Sequence, residues 1–142
     1  MNLPPRLLLP LLAALAVTAF VACGDGDSEL DGGVLATFAV GDESFKVWVT
    51  NEQTIEQLLD LETGESEATI PNGWIDRGPG AGNHNEPWSW HLDPDDIQMA
   101  EVTIELCDGT PSYLEENLTE VMGTAGRFCP WSAELTDLED HR

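Results

Sequence analysis

Apolar residues recur at every second position in several short runs of this chain, and turn-forming residues separate those runs. Such alternation is typical of β-strands that bury one face and expose the other. The runs cover residues 34–40, 45–49, 88–92 and 102–106, with a last one from 128 to 138. Gly41-Asp42 joins the first two runs, so a β-hairpin is predicted there, followed by three more strands.

Two other segments follow the helical period of about 3.6 residues. The first lies between Asn51 and Thr63, and either Thr50 or Asn51 is suited to cap its start. The second opens at Pro111, a residue favoured in the first turn of a helix. The apolar stripes consist of Ile55, Leu58 and Leu59 in the first helix and of Leu114, Leu118, Val121 and Met122 in the second. Together the elements predict an α+β fold, in which a mainly antiparallel sheet carries both short helices on one face.

Residues 64–87 are polar and contain the Gly- and Pro-rich stretch 78–82. They predict a long connection, within which a brief strand over residues 73–77 is the alternative. The Gly-rich stretch lacks the Lys-Ser/Thr ending of a phosphate-binding loop, so no nucleotide site is expected there. Permissive loops on rigid scaffolds are frequent places for binding.

The N-terminal segment has an apolar run of about 15 residues, 7–21, which follows Arg6 and precedes Cys23. A membrane-spanning helix needs about 20 apolar residues, so the run is typical of a secretory signal peptide instead. Residues 20–24 (FVACG) also resemble the lipobox of bacterial lipoproteins, with Phe20 in place of the usual Leu. This resemblance implies cleavage before Cys23 and a diacylglycerol on its sulfur. A plain secretory signal with a free Cys23 is the alternative.

This interpretation divides the chain into four parts: a lipoprotein signal peptide (1–22), an acidic Gly-rich tether (23–33), a folded domain (34–138) and a polar tail (139–142). The expected location is the bacterial cell envelope, where the lipid on Cys23 anchors the chain to a membrane on its extracytoplasmic side. Secretion without an anchor is the alternative location.

The chain contains three cysteines, an odd number for an oxidising compartment. Lipidation of Cys23 leaves Cys107 and Cys129 as one pair. A disulfide between them closes a loop of about 23 residues, which the chain-entropy model equates with roughly 3 kcal/mol of stability. Two unpaired buried thiols are the alternative.

The chain has 27 acidic and 5 basic residues, and its formal net charge is -22. A charge of this sign and size excludes nucleic acid as a partner, because phosphate backbones are bound by cationic surfaces. It also repels anionic lipid headgroups, so membrane attachment depends on acyl chains alone. A saline habitat, cation binding and solubility remain open as the origin of the acidity.

Two groups of polar residues were considered as reactive sites. Ser89, His91 and Asp93 have the residue types of a catalytic triad, but alternate residues of one strand lie about 6.6 Å apart. A nucleophile needs its base within about 3.2 Å. His84, with His91 and Asp93, forms a metal site only if the Gly-rich loop folds back over the strand. No HxH or HExxH spacing is present, so no catalytic set, no cofactor and no specific metal are expected.

Five tryptophans are the most informative remaining residues. Trp88 and Trp90 have the parity of Leu92 and are predicted on the core face of their strand. Trp48 has the opposite parity to Val47 and Val49, so it is predicted to project from the other face. The candidate binding surface consists of Trp48, Trp74, His84, Trp88, His91 and Trp131.

Four short stretches carry a family resemblance: residues 88–94 (WSWHLDP), 104–108 (IELCD), 113–118 (YLEENL) and 129–132 (CPWS). They resemble the N-terminal domain family of the cyclic-AMP-inducible prespore protein and its relatives, and the likeness extends over roughly residues 34–138. The resemblance implies an extracytoplasmic module that mediates contacts. It carries over no catalytic residue, and it also implies the pairing of Cys107 with Cys129.

The function expected from these observations is a lipid-anchored, non-enzymatic interaction module that contacts a protein or polysaccharide partner. A small inhibitor of secreted hydrolases is the main alternative, because a long Gly-Pro loop on a disulfide-closed body is suited to enter an active-site cleft. An enzyme is the third hypothesis, and it requires a deep pocket that gathers Arg77, His91 and Asp93.

Overall fold

The computed structural model describes residues 30–142. The signal peptide, the lipidation site Cys23 and most of the tether lie outside the described residues. The strands are β1 (Val34–Val40), β2 (Glu43–Val49), β3 (Ile70–Arg77), β4 (Trp90–Leu92), β5 (Gln98–Ala100), β6 (Arg127–Phe128) and β7 (Ala133–Asp140). The α-helices are α1 (Glu52–Thr63), α2 (Pro111–Glu116) and α3 (Leu118–Thr124), and short 3-10 turns cover Ala81–Asn83 and Glu105–Cys107.

Two antiparallel sheets form the body of the domain. The first has the order β2-β1-β7, with Ala36 opposite Val47 and Val34 opposite Asp140. In the second, β3 pairs with β4, β5 and β6 over successive parts of its length. The α+β class, the antiparallel pairing and the first hairpin therefore agree with the sequence prediction.

One apolar core lies between these elements. Its largest fully buried side chains are Trp90, Phe38, Phe45 and Phe128. The Trp90 ring lies 5.7 Å from that of Phe45 and 5.2 Å from that of Phe128, measured between centroids. Aromatic rings at these separations add directional attraction to the burial of their area.

Helix boundaries follow the predicted capping residues. The Asn51 side chain accepts a hydrogen bond from the Thr54 amide at the start of α1, and Gly64 ends that helix in a left-handed conformation with φ 79°. Thr110 caps α2, which begins at Pro111. Helix α1 contacts β5 and β7, and α2 contacts β2. No helix within residues 30–142 is long and apolar enough to cross a membrane.

The second predicted helix is interrupted at Asn117, so the described chain has three α-helices instead of two. Asn117 has φ -118° and ψ 20°, outside the helical range. Its side-chain amide donates to the Tyr113 carbonyl over 2.8 Å, and such local side-chain bonds compete with helical ones. Helix α3 then restarts at Leu118.

Three strand predictions require correction. Residues 102–106 are not a strand: their backbone pairs with no other strand of the described chain and turns into the 3-10 segment at Glu105. The last strand starts at Ala133, not at 128, and runs to Asp140, so part of the predicted tail belongs to the sheet. Strand β3 covers eight residues, because β4, β5 and β6 all pair with it.

The disulfide joins Cys107 to Cys129, as predicted. Both residues are buried and pack with Ile70 and Ala125 in a small cluster beside the main core. The Cys129 amide also donates to the Cys107 carbonyl over 2.7 Å. The bond thus attaches the end of segment 102–106 to the chain that follows α3.

Candidate interaction surface

Large apolar side chains are exposed near the disulfide. Val102, Ile104 and Leu106 are 84%, 66% and 63% exposed, and Tyr113 at the start of α2 is 52% exposed. We refer to these four residues as the apolar surface. Single exposed apolar residues are common in soluble proteins, but a continuous group of them marks an interaction site more often.

Two open hollows connect the members of the apolar surface. The smaller one, of about 360 Å³, is bounded by Val102, Ile104 and Leu106 together with Asn72 and Arg127. The larger one, of about 480 Å³, is bounded by Leu106 and Tyr113 on α2 and by residues of α3. Leu106 belongs to both walls, so the hollows lie on either side of it.

Acidic side chains surround this surface. Glu101, Glu105, Asp108 and Glu120 are all exposed, and the last three line the larger hollow. Among the described residues, Arg127 is the one basic side chain that lines either hollow. It forms a 2.8 Å ion pair with Asp96, which leaves the electrostatic character of the surface negative.

Arg127 also organises the neighbouring part of β3. Its guanidinium lies 4.9 Å from the ring centroid of Trp74, a cation–π arrangement. Its Nε donates to the Asn72 Oδ1 over 2.8 Å. Trp74 remains 49% exposed, so this tryptophan of the predicted binding surface is accessible beside the smaller hollow.

Trp48 is buried, contrary to the prediction. It does have the opposite parity to its strand neighbours, but only 5% of it is exposed. The ring of His141 packs edge-on against it, and a Cβ on Gly33 would lie 2.7 Å from its indole. The two ends of the described chain therefore cover this face, and Trp48 is unavailable for contact with a partner.

The other tryptophans are divided between core and surface. Trp90 is fully buried and Trp88 is partly buried, with the Trp88 indole nitrogen donating to the Ser44 carbonyl over 2.9 Å. Trp131 is 43% exposed, and its amide donates to Asp108. The six residues predicted as one binding surface thus do not form a single accessible patch.

The Gly-rich connection is held closely against the body. Asn85 is buried, and its side chain donates to the Trp90 carbonyl and accepts from the Lys46 amide. His84 is only 7% exposed. Its ring lies against Gly80, where φ is +80° and an added Cβ would come within 2.2 Å of the imidazole. His84, predicted to contribute to a binding surface, is therefore an internal residue of this loop.

Burial lowers the pKa of His84 below its usual 6.5, against the opposing effect of its hydrogen bond to the Ala81 carbonyl. His91, whose ring lies 5.9 Å away, and Lys46 add to the lowering through their positive charge. The Nε2 atom of His84 is buried without a hydrogen-bond partner in the described chain. The neutral imidazole is thus the form that the fold accommodates.

We expect acid to destabilise the domain through His84. The unfolded chain gains a proton near pH 6.5 while the folded chain gains it only at lower pH, so this contribution to stability is complete above pH 6.5 and is lost below it. Urea unfolding at pH 7.5 and 5.0 measures the effect, and His84→Gln should reduce the difference in midpoint. The matched substitution His141→Gln should leave it unchanged, and an equal reduction by both variants would contradict the assignment to His84.

The residues considered for catalysis have other partners. The Ser89 hydroxyl donates to Glu115 over 2.7 Å, and His91 Nδ1 lies 2.8 Å from the Gly78 carbonyl oxygen. The alternation along the strand thus gives no nucleophile–base contact at Ser89. Across residues 30–142, no three histidine, cysteine or carboxylate side chains are grouped as a metal site would need.

These features define the class of the protein: a small α+β domain with two antiparallel sheets, closed by one disulfide and carrying an exposed apolar surface beside that bond. The chain belongs to the BP-74 N-terminal domain family, whose model matches residues 34–142. This is the prespore-protein family that the four sequence stretches resemble. No curated protein and no solved structure matches the chain.

Proposed function

We propose that this protein is a lipid-anchored binding module of the bacterial cell envelope, which uses the apolar surface to contact a partner protein on the extracytoplasmic side. The observation that carries the proposal is the exposure of Val102, Ile104 and Leu106, each more than 60% exposed. Keeping such side chains in water forgoes about 1.5–3 kcal/mol per residue relative to their burial. A partner that covers them recovers this free energy.

The anchor rests on the sequence before the described residues, where an apolar segment ends at Cys23. The buried disulfide supports the oxidising compartment, because such bonds persist mainly outside the cytoplasm. A single lipid-bearing cysteine attaches the domain to a membrane while the acidic body remains in water.

A protein partner is favoured over a polysaccharide by the kind of surface available. Sugar-binding sites depend on flat aromatic platforms with polar side chains around them, whereas the apolar surface has mainly branched aliphatic side chains and only Tyr113 as an aromatic member. The inhibitor hypothesis is less well supported, because Asn85 and His84 hold the Gly-rich loop against the body.

Site-specific photocrosslinking in the native envelope tests this proposal. A photoreactive phenylalanine analogue in place of Leu106 should yield a discrete adduct with one partner protein, whereas the same analogue in place of Glu56 should yield none. Glu56 is an exposed residue of α1, so it controls for random collisions. Equal adduct formation at both positions, or none at Leu106, would contradict a binding role for the surface.

The anchor has its own measurement. The N-terminal fragment of the purified native protein should begin at Cys23 and carry the mass of a diacylglycerol. A fragment that begins at Met1, or a cysteine without lipid, would remove the anchor from the proposal and leave the binding role to the crosslinking result.

A further inference from the structure

We infer that residues 102–106 form an unpaired β-strand edge, which receives an extended segment of a partner protein with alternating basic and apolar side chains. This inference rests on the proposed function and gives the surface its mode of binding and its partner chemistry. Strand addition to an exposed edge supplies affinity through main-chain hydrogen bonds and specificity through alternate side chains.

The backbone of the segment supports this mode. Strand β5 ends at Ala100, where its pairing with β3 stops. Within residues 30–142, the amides of Val102, Thr103 and Ile104 donate no hydrogen bond. Ile104 has φ -84° and ψ 150°, an extended conformation. A row of extended, unpaired backbone groups is a template for another strand.

The side chains alternate as they do in a paired strand. Val102, Ile104 and Leu106 have one parity and are exposed. Thr103 has the other parity, and its hydroxyl is buried without a hydrogen-bond partner in the described part of the chain. The sequence therefore encodes a two-sided strand, but the described fold provides no neighbour for it.

Charge indicates which partner strand fits. Glu101 and Glu105 lie within or next to the segment, and Asp108 follows it, all of them exposed. Opposite charges at cross-strand positions stabilise a pair of strands, and like charges destabilise it. The partner segment is therefore basic at the positions between its apolar residues, and the chain's net charge of -22 attracts such a partner from a distance.

The same argument disfavours a second copy of this chain as the occupant. Antiparallel pairing of two copies about Ile104 would place the two Glu105 side chains at diagonal cross-strand positions. Each copy would also bring its whole acidic body to the interface. The two hollows beside Leu106 instead offer room for apolar side chains of a different chain.

Binding of a synthetic peptide tests the inference directly. The probe is acetyl-KVKIKVK-amide, added to the mature lipoprotein in detergent, with amide hydrogen exchange and calorimetry as the measurements. We expect saturable binding and at least tenfold slower exchange at the amides of Val102, Thr103 and Ile104. The analogue with glutamate at every lysine position should bind at least tenfold more weakly.

N-methylated versions of the peptide separate strand addition from simple side-chain adhesion. Methyl groups on one set of alternate amides should abolish binding, because they face the protein edge, whereas those on the other set should leave it nearly unchanged. Equal binding of both methylated peptides would overturn strand addition.

Two pairs of variants locate the edge. Thr103→Pro removes one amide donor and should weaken peptide binding at least tenfold, while Thr103→Ser should retain it. Ile104→Ser should weaken binding and Ile104→Val should preserve it. Near-ultraviolet circular dichroism checks the fold, and if the proline variant is unfolded, the Ile104 pair and the methylated peptides decide the question.

Other occupants give different results. Protection of these three amides in a dimer of the free protein would assign the edge to a second copy, and protection by phosphatidylcholine vesicles alone would assign it to a membrane. Either result overturns the inference. Failure of the peptide together with a discrete crosslink from position 106 would refute strand addition and retain the proposed binding function.

Discussion

Replacing Trp90 with alanine is expected to lower the free energy of unfolding by about 3–5 kcal/mol, the usual cost of removing a large buried aromatic side chain. Trp90 is fully buried and contacts Phe45 of β2 and Phe128 of β6, so it joins the two sheets. Urea unfolding measures the change, and we expect a lower midpoint with an unchanged dependence on denaturant.

Trp90→Phe provides the matched control. It retains a ring at the centre of the core and also removes the Trp90 Nε1 donor, which is buried without a hydrogen-bond partner in the described residues. An unpaired buried donor costs about 1–3 kcal/mol, so its removal offsets part of the lost packing. A phenylalanine variant as unstable as the alanine variant would contradict the central packing role assigned to this position.

The first hairpin was predictable because three local signals agree. Alternation in β1 and β2 is uninterrupted, Gly41 supplies the positive φ of 64° that the turn requires, and both strands have neighbours. The cap at Asn51 and the proline at the start of α2 were also visible in the sequence. Local chemistry determines these features, so a sequence pattern is sufficient to find them.

Pairing between distant segments was not predictable in the same way. Residues 102–106 alternate as regularly as β1 does, yet no strand within residues 30–142 lies beside them. Conversely, β3 contains Pro71 and Gly73, which weaken a strand signal, and it is the strand that holds the second sheet together. Alternation reports on the side chains of one segment and carries no information about its neighbours.

The candidate site depended on the same missing information. The parity of Trp48 was correct, but His141, more than ninety positions later, packs over its ring. His84 lies in a loop rich in glycine, which suggested exposure, and the hydrogen bonds of Asn85 turn that loop inward. The apolar surface was overlooked because its residues read as the buried face of a strand.

Removing the disulfide is the second change with a large expected effect. The double substitution Cys107→Ala and Cys129→Ala releases a loop of about 23 residues, so the chain-entropy model gives a loss of about 3 kcal/mol. A loss of this size lowers the thermal midpoint of a domain this small by roughly 10–20 °C. Thermal unfolding of the variant, compared with wild type before and after reduction, measures it.

The same bond fixes the end of segment 102–106, which gives the prediction a second readout. Without the disulfide, the hydrogen bond from the Cys129 amide to the Cys107 carbonyl opens more often, and Leu106 loses its fixed position between the two hollows. Binding of the basic peptide should then weaken more than unfolding alone explains, at temperatures where the variant is still folded. If the variant matches wild type in both midpoint and peptide affinity, packing of Ile70 and Ala125 around the two side chains is enough to hold this region.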